Sequence, residues 1–228
     1  MLRLRLRDPA GHERIYDDSR PSARAGVLSD DDLEQISGDR LARAYDLIVF
    51  PGHEEYVTAS AYDDVVRYRD LGGNLAFLSA NNFFWSARRA GQRLIKGAQW
   101  RRRGRAEAGL VGVQYVGGDS GVHQGPYTVT GAQSAPWVFA GTGLGDGTTF
   151  GSYGVEIDSR APASPPGTTV LARTAPLLGS GAAAEMTDYE LPSGAKVFAA
   201  RALTFAGSIA DPPVARLVGN VWDRLSRP

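Results

Sequence analysis

The sequence predicts an α/β protein, a parallel sheet with helices on both faces and a β-rich, loop-rich insertion. Three observations carry this. An apolar run at Leu47–Phe50, a helical pattern holding Tyr62, Val65, Val66 and Leu71, and a second apolar run at Leu75–Leu78 follow one another within about 35 residues. That is a βαβ unit, with a right-handed crossover and parallel strands. A further apolar strand at Lys196–Ala200 and an amphipathic helix after Pro212-Pro213 close the chain in the same style. Between them, residues 100–195 are rich in Gly, Thr, Ser, Val and Pro and carry short β-like runs with few helical stretches.

Taken in order, residues 1–28 are hard to place. MLRLRLRD alternates Leu and Arg with period two and reads as an edge strand or loop, and Pro9, Asp17-Asp18 and Arg20-Pro21 read as turns. Ser29 then N-caps a helix whose first turn holds Asp30, Asp31 and Asp32, where the helix dipole favours negative charge. Thr58 or Ser60 caps the next helix and Gly72-Gly73 ends it. Leu110–Val116 and Thr168–Ala172 read as strands, with loops at the glycine clusters 117–118, 141–147 and 179–181. The last helix carries Val214, Leu217, Val218, Val221, Trp222 and Leu225 on one stripe. Because its first and last units look alike, residues 1–228 read as a single domain with 100–195 inserted in it.

Composition narrows the functions. The chain of 228 residues is 43% hydrophobic and 22% charged, as an ordinary globular protein is. Its 25 basic and 25 acidic side chains cancel, so no overall field favours nucleic acid or an anionic membrane. Without cysteine there are no disulfides, thiolate metal sites or cysteine nucleophiles. No apolar run approaches the roughly 20 residues of a membrane span, and the N-terminus lacks the apolar core of a signal peptide. A cytoplasmic location is the expectation.

The strongest polar cluster is His53, Glu54 and Glu55, directly after the Pro51-Gly52 turn that ends the first strand. Ligands in α/β folds bind at such strand ends. In extended backbone His53 and Glu55 share one side and Glu54 faces the other. An imidazole beside a carboxylate can bind a metal or pass a proton, and a solvated loop is the plain alternative. Asn81 and Asn82 follow the neighbouring strand, so their loop lies beside that of His53. An Asn there can donate to a carbonyl oxygen, or it can merely cap the loop. Phe83, Phe84 and Trp85 wall a pocket or join the core. Glu156 and Asp158 alternate with Val155 and Ile157 as in a half-exposed strand. Arg101–Arg105 reads as a solvated loop, and His12 and His123 sit in glycine-containing turns without a partner signal. Gly141–Gly147 lacks the Gly-Lys-Ser/Thr ending of a phosphate loop.

The runs YDLIVFPGHEEYVT and LGGNLAFLSANNFFW, followed in order by WRRRGRAEAGLVGVQYVGGDSG, YGVEIDSRAP, GAKVFAA and VARLVGNVWDRL, resemble the C-terminal domain of N,N-dimethylformamidase large (beta) subunits. The resemblance spans about residues 27–226. It implies a class I glutamine amidotransferase-like fold with flavodoxin-like layering. It does not imply a cysteine-dependent glutaminase, because the turn that would hold the nucleophile reads Leu78-Ser-Ala-Asn81. What it implies for activity is a metal-dependent hydrolase of small amide C–N bonds, with a mononuclear iron and no organic cofactor. Glu55 and His53 would then be metal ligands, with His53, Asn81 and Glu156 catalytic. Of the family's two upstream tyrosine ligands, Tyr16 is a stand-in by residue type alone. The expected partners are a small amide substrate and, for the protein itself, a second copy or a partner subunit. The alternative is a non-catalytic amidotransferase-like module that binds a ligand or a subunit.

Overall fold

Ser29 opens the first helix as its sequence predicts. Its hydroxyl accepts from the Asp32 N–H and its own N–H donates to the Asp32 carboxylate, a reciprocal capping box. The structure, a computed structural model, describes residues 26–91, 93–179 and 181–227, so the alternating N-terminus and Tyr16 lie outside the described residues. In chain order come helices α1 (Asp30–Gln35) and α2 (Gly38–Ala44), strands β1 (Leu47–Phe50) and β2 (Tyr56–Thr58), and helix α3 (Ala59–Asp70). Strands β3 (Asn74–Phe77), β4 (Trp85–Ala90) and β5 (Arg93–Gln99) follow, then helix α4 (Ala108–Val111), strands β6 (Gln114–Gly118) and β7 (Gln124–Val129), and helix α5 (Pro136–Phe139). Strands β8 (Thr149–Gly154), β9 (Glu156–Ser159), β10 (Thr169–Thr174), β11 (Glu185–Glu190) and β12 (Lys196–Ala199) precede helix α6 (Pro212–Leu225). The single helix expected after Ser29 is two, because the chain turns extended at Ile36 and Ser37. Thr58 caps α3, and Gly72 follows its end at φ +101°, a conformation few residues other than glycine adopt.

The central sheet runs β1-β3-β12-β11-β10-β7-β8. β1 pairs β3 in parallel, as the βαβ reading requires, with Leu47 opposite Asn74 and Phe50 opposite Phe77. β12 continues that parallel pairing on the other side of β3. From β12 onward every pairing is antiparallel. The expected parallel sheet with flavodoxin-like, amidotransferase-like layering is therefore corrected to a mixed, mostly antiparallel and β-rich architecture with few helices. The reason is physical. A parallel neighbour needs a crossover of a dozen or more residues, usually helical, and α4 and α5 have four residues each. Tight turns take over, as where the Leu191 N–H donates to the Ala195 carbonyl between β11 and β12. The stretch read as an insertion thus supplies β7, β8, β10 and β11 to the main sheet. Two smaller sheets, β2-β4-β5 and the ribbon β6-β9, sit beside it.

β3 is buried on both faces. Ala76 and Leu78 enter the layer that holds α6, while Leu75 and Phe77 enter the layer that holds α2 and α3. α6 lays Val214, Leu217, Val218, Val221 and Leu225 on the sheet, each such burial contributing about 1.5–3 kcal/mol. Among the described residues no helix is long and apolar enough to cross a membrane. The pairing of β1 with β3 has one consequence for function: both strands deliver their carboxyl-end loops to the same sheet edge.

Candidate active site

Those two loops are stitched together. Leu78 N–H donates to the Phe50 carbonyl (2.9 Å), Phe83 N–H to that of Glu54 (2.7 Å), and Trp85 N–H to that of Glu55 (2.8 Å). Asn82 adds a side-chain bond from Nδ2 to the Gly52 carbonyl (2.9 Å). β9 closes the third side. Its backbone meets the segment after β12 through Leu203 N–H to the Glu156 carbonyl (3.0 Å) and Asp158 N–H to the Arg201 carbonyl (3.2 Å).

The three segments bring His53, Glu55, Asn81 and Glu156 together. Asn81 Nδ2 donates to Glu55 Oε1 and to Glu156 Oε2, each at 3.0 Å. His53 lies beside both carboxylates, its Nε2 3.5 Å from Glu55 Oε2 and its Nδ1 3.7 Å from Glu156 Oε2. Two carboxylates this close repel, and the amide between them offsets the repulsion with one hydrogen each. Both Asn81 amide hydrogens are therefore engaged, so as placed this amide positions the carboxylates. Its Oδ1 is buried without a hydrogen-bond partner among the described residues. Glu54 faces away, as alternation requires, toward Asp30. Burial, with a smaller push from Asp30, raises its carboxyl to about 7.

Beneath the cluster lies an ion pair that sequence reasoning missed. Arg201 and Asp158 are almost wholly buried. Arg201 Nη1 donates to Asp158 Oδ2 (2.8 Å) and to Asn82 Oδ1 (3.2 Å), and both Asp158 oxygens accept from the Asn81 N–H at 3.0 Å. Burial pushes the Asp158 carboxyl up, while Arg201 and the Asn81 N–H pull it back. The pair fixes the backbone from which the Asn81 amide projects. The only sequence signal for it was an arginine directly after an apolar strand, which has too many other uses to read. Strain concentrates here as well. Asn81 (φ +54°), Phe83 (+61°), Val155 (+69°) and Arg201 (+65°) are left-handed without being glycine, at a cost of roughly 1–2 kcal/mol each. Such residues gather at functional sites.

Tyrosines line the cluster. The Tyr56 hydroxyl bonds the Glu55 carboxylate, which raises the phenol above its ordinary range. Tyr115 lies opposite Asp158 in the β6-β9 ribbon. Of the aromatic run, Phe83 belongs to the core, edge-on to Phe50, Tyr62 and Phe77, whereas Phe84 packs against Tyr115 at 5.1 Å. His123, read as partnerless, bonds Asp119 through Nδ1 at 2.7 Å, well apart in sequence from the cluster.

The resemblance implies an iron held by Glu55 and His53. Hard cations bind bare oxygens, but Asn81 hydrogens occupy the space between the two carboxylates. Among the described residues no group of three or more His, Asp or Glu side chains could hold a metal ion. As arranged, Glu55 and His53 do not fit a mononuclear iron.

Known proteins resemble the chain in family and in fold. Eleven chains of solved structures match it. One of them, the mmIFT52 N-terminal domain, is 13% identical, covers 85% of this chain and 82% of that one, and superposes with a TM-score of 0.52. At that identity the likeness is one of fold alone. No curated protein matches the chain. A family model described as N,N-dimethylformamidase beta subunit-like, C-terminal, matches residues 22–218. Most of the chain is covered by that match, and the chain belongs to the N,N-dimethylformamidase beta subunit-like C-terminal family.

Proposed function

We propose that the chain hydrolyses small amide C–N bonds at the His53–Glu55–Asn81–Glu156 cluster. The observation that carries this is the convergence of one imidazole, two carboxylates and a bridging amide from three chain segments. Family membership supports the amide-hydrolase sense.

The residues suggest the following course. His53 removes a proton from a water as its oxygen attacks the carbonyl carbon. The imidazolium so formed lies beside Glu55 and Glu156, whose charges stabilise it. Glu156 acts here through the imidazole, 3.7 Å from Nδ1. The tetrahedral intermediate then collapses. His53 returns the proton to the nitrogen, the C–N bond breaks, and an amine and a carboxylic acid leave. Asn81 holds both carboxylates in place throughout. No step passes through a metal.

The test is hydrolysis of N-methylformamide to formate and methylamine by the purified chain, with and without added ferric iron. The expected result is turnover without added metal, lowered about 10²–10⁴-fold in His53→Ala, the range of general acid–base catalysis. Absence of turnover by the wild type, or an unchanged rate in His53→Ala, overturns the reading. Turnover that appears only with iron overturns the metal-free step.

A second reading is a non-catalytic module that binds a subunit, in keeping with the beta-subunit-like family description. It is favoured by β5, which is exposed along almost its whole length and presents Leu94 and Ile95 to solvent. An intact fold with no turnover and with binding of a second chain on β5 would support it.

A further inference from the structure

Charge is spread unevenly along this neutral chain. Between Asp70 and Glu107 there is no acidic residue, yet the stretch holds eight of the 25 basic side chains. Its centre is the β4-β5 hairpin. Arg89 finds acidic partners in Asp31 and Glu34 of α1, and Arg101 and Arg105 find theirs in Glu107 and Asp63. Arg88 and Arg93 are exposed and have no acidic partner among the described residues. Lys96 is held only over the rings of Trp85, 3.7 Å from the centroid, and Tyr56, at 5.6 Å.

β5 is the outer strand of the β2-β4-β5 sheet and pairs only with β4 among the described residues. Its other side presents a row of unpaired backbone N–H and C=O groups, a template for one more strand. Edges are commonly blunted by charge, proline or a short span. β5 is seven residues long, and besides its cations it leaves Leu94 (51%) and Ile95 (40%) in solvent. Register and alternation sort these groups. Ile95 lies opposite Arg88, with Arg93 two residues away on the same face. Leu94 shares the other face with Lys96. Each face of the edge thus carries one apolar side chain beside a cation. A second copy is a poor occupant, because its own β5 would bring the same acid-free stretch against this one. A phosphate backbone would meet the cations but leave the C=O row, Leu94 and Ile95 without partners.

We infer that β5 takes an extended segment of a different chain as an added strand, and that this segment reads acidic, apolar, apolar, acidic across from Arg93, Leu94, Ile95 and Lys96. Main-chain hydrogen bonds hold such a strand, and its side chains give the selectivity. Opposite charges facing each other across the pair favour the acidic segment, and like charges disfavour a basic one. The order reads the same in both directions, so it suits a parallel or an antiparallel approach. The inference rests on the subunit-binding reading for the existence of a partner and adds the partner's chemistry.

The experiment is an amide NMR titration of the full chain, with hydrogen exchange, using two end-blocked peptides, Thr-Glu-Val-Val-Glu-Thr and Thr-Lys-Val-Val-Lys-Thr. The proteins are wild type and the double variant Arg93→Glu, Lys96→Glu, whose sites are exposed and whose melt should match the wild type. The acidic peptide is expected to shift the β5 amides saturably, to slow their exchange, and to bind the wild type about tenfold more tightly than the basic one. The double variant is expected to reverse that preference. If neither peptide perturbs β5, or if shifts come without slower exchange of any β5 amide, no strand is added and the inference is overturned. If both peptides bind β5 equally, the subunit-binding reading stands and the acidic preference alone falls. A thymidine oligonucleotide that perturbs β5 more strongly than the acidic peptide overturns the inference in favour of nucleic acid. A wild-type dimer that the charge reversal dissolves overturns it in favour of a second copy.

Discussion

The two ends of the central sheet are built on different rules. At one end β1, β3 and β12 run parallel, and their loops carry buried polar groups, left-handed residues and the Arg201–Asp158 pair. At the other, β11, β10, β7 and β8 are antiparallel neighbours, and they share with β3 and β12 the apolar layer beneath α6. β12 belongs to both, parallel to β3 and antiparallel to β11, and Arg201 leaves from its end. The difference teaches where this chain places its conformational cost. The apolar layer supplies stability, and the loops of the parallel end spend some of it on holding Asn81, Glu55 and Glu156 in one arrangement.

The sharpest way to break this contrast is to remove the cation under the site. Arg201→Met leaves Asp158 buried without its partner and should destabilise the fold by about 3–5 kcal/mol in denaturant titration. A loss under 1 kcal/mol would show that the pair does not anchor the loops. The matching change in the apolar layer is Leu217→Ala in α6, where Leu217 is fully buried. It should cost about 2–5 kcal/mol while leaving kcat at a permissive temperature within about twofold. A parallel collapse of kcat would mean that the layer and the loops are not separable.

Smaller effects sharpen the same comparison. Val155 is β-branched and left-handed next to Glu156. Val155→Gly relieves that strain, less the entropy glycine adds to the unfolded chain, for a net gain of up to about 1 kcal/mol. A melting temperature 1–3 °C higher, of the order such a gain gives, would bear this out; a lower one would show that the Val155 side chain contributes more packing than strain. Glu54→Gln tests the outward face of the His53 loop. With its folded value raised to about 7, Glu54 lowers stability progressively as pH rises from the ordinary glutamate range through 7, where the folded state must carry a poorly solvated charge. Glu54→Gln should therefore melt higher than wild type above pH 7, and the advantage should vanish below the ordinary glutamate range. An advantage that is the same at every pH would point to packing instead.

What was legible in the sequence follows the same division. The βαβ unit is local, so its hydrophobic periods and the Thr58 and Gly72 caps could be read, and its parallel pairing made His53, Glu55 and Asn81 neighbours by geometry alone. Glu156 could be named only through the resemblance, since its strand alternation reads equally as a half-exposed strand. Asp158 and Arg201 meet across a long stretch of chain, and no period or motif announces that pairing. The fold class was misread because strand-helix units at both ends of the chain looked like brackets around an insertion. The short strands between them pair non-locally, and a sheet that switches from parallel to antiparallel at β12 leaves no mark on the composition of β12 itself.

The central claim is that His53 and Glu156 act as one catalytic unit. Its most direct test is a double-mutant cycle on kcat/KM for N-methylformamide with wild type, His53→Ala, Glu156→Gln and the double variant. Residues that act as a unit are strongly non-additive, so the double variant should be no slower than His53→Ala alone, within about threefold. Losses that simply multiply, or a wild type without measurable hydrolysis, would contradict it.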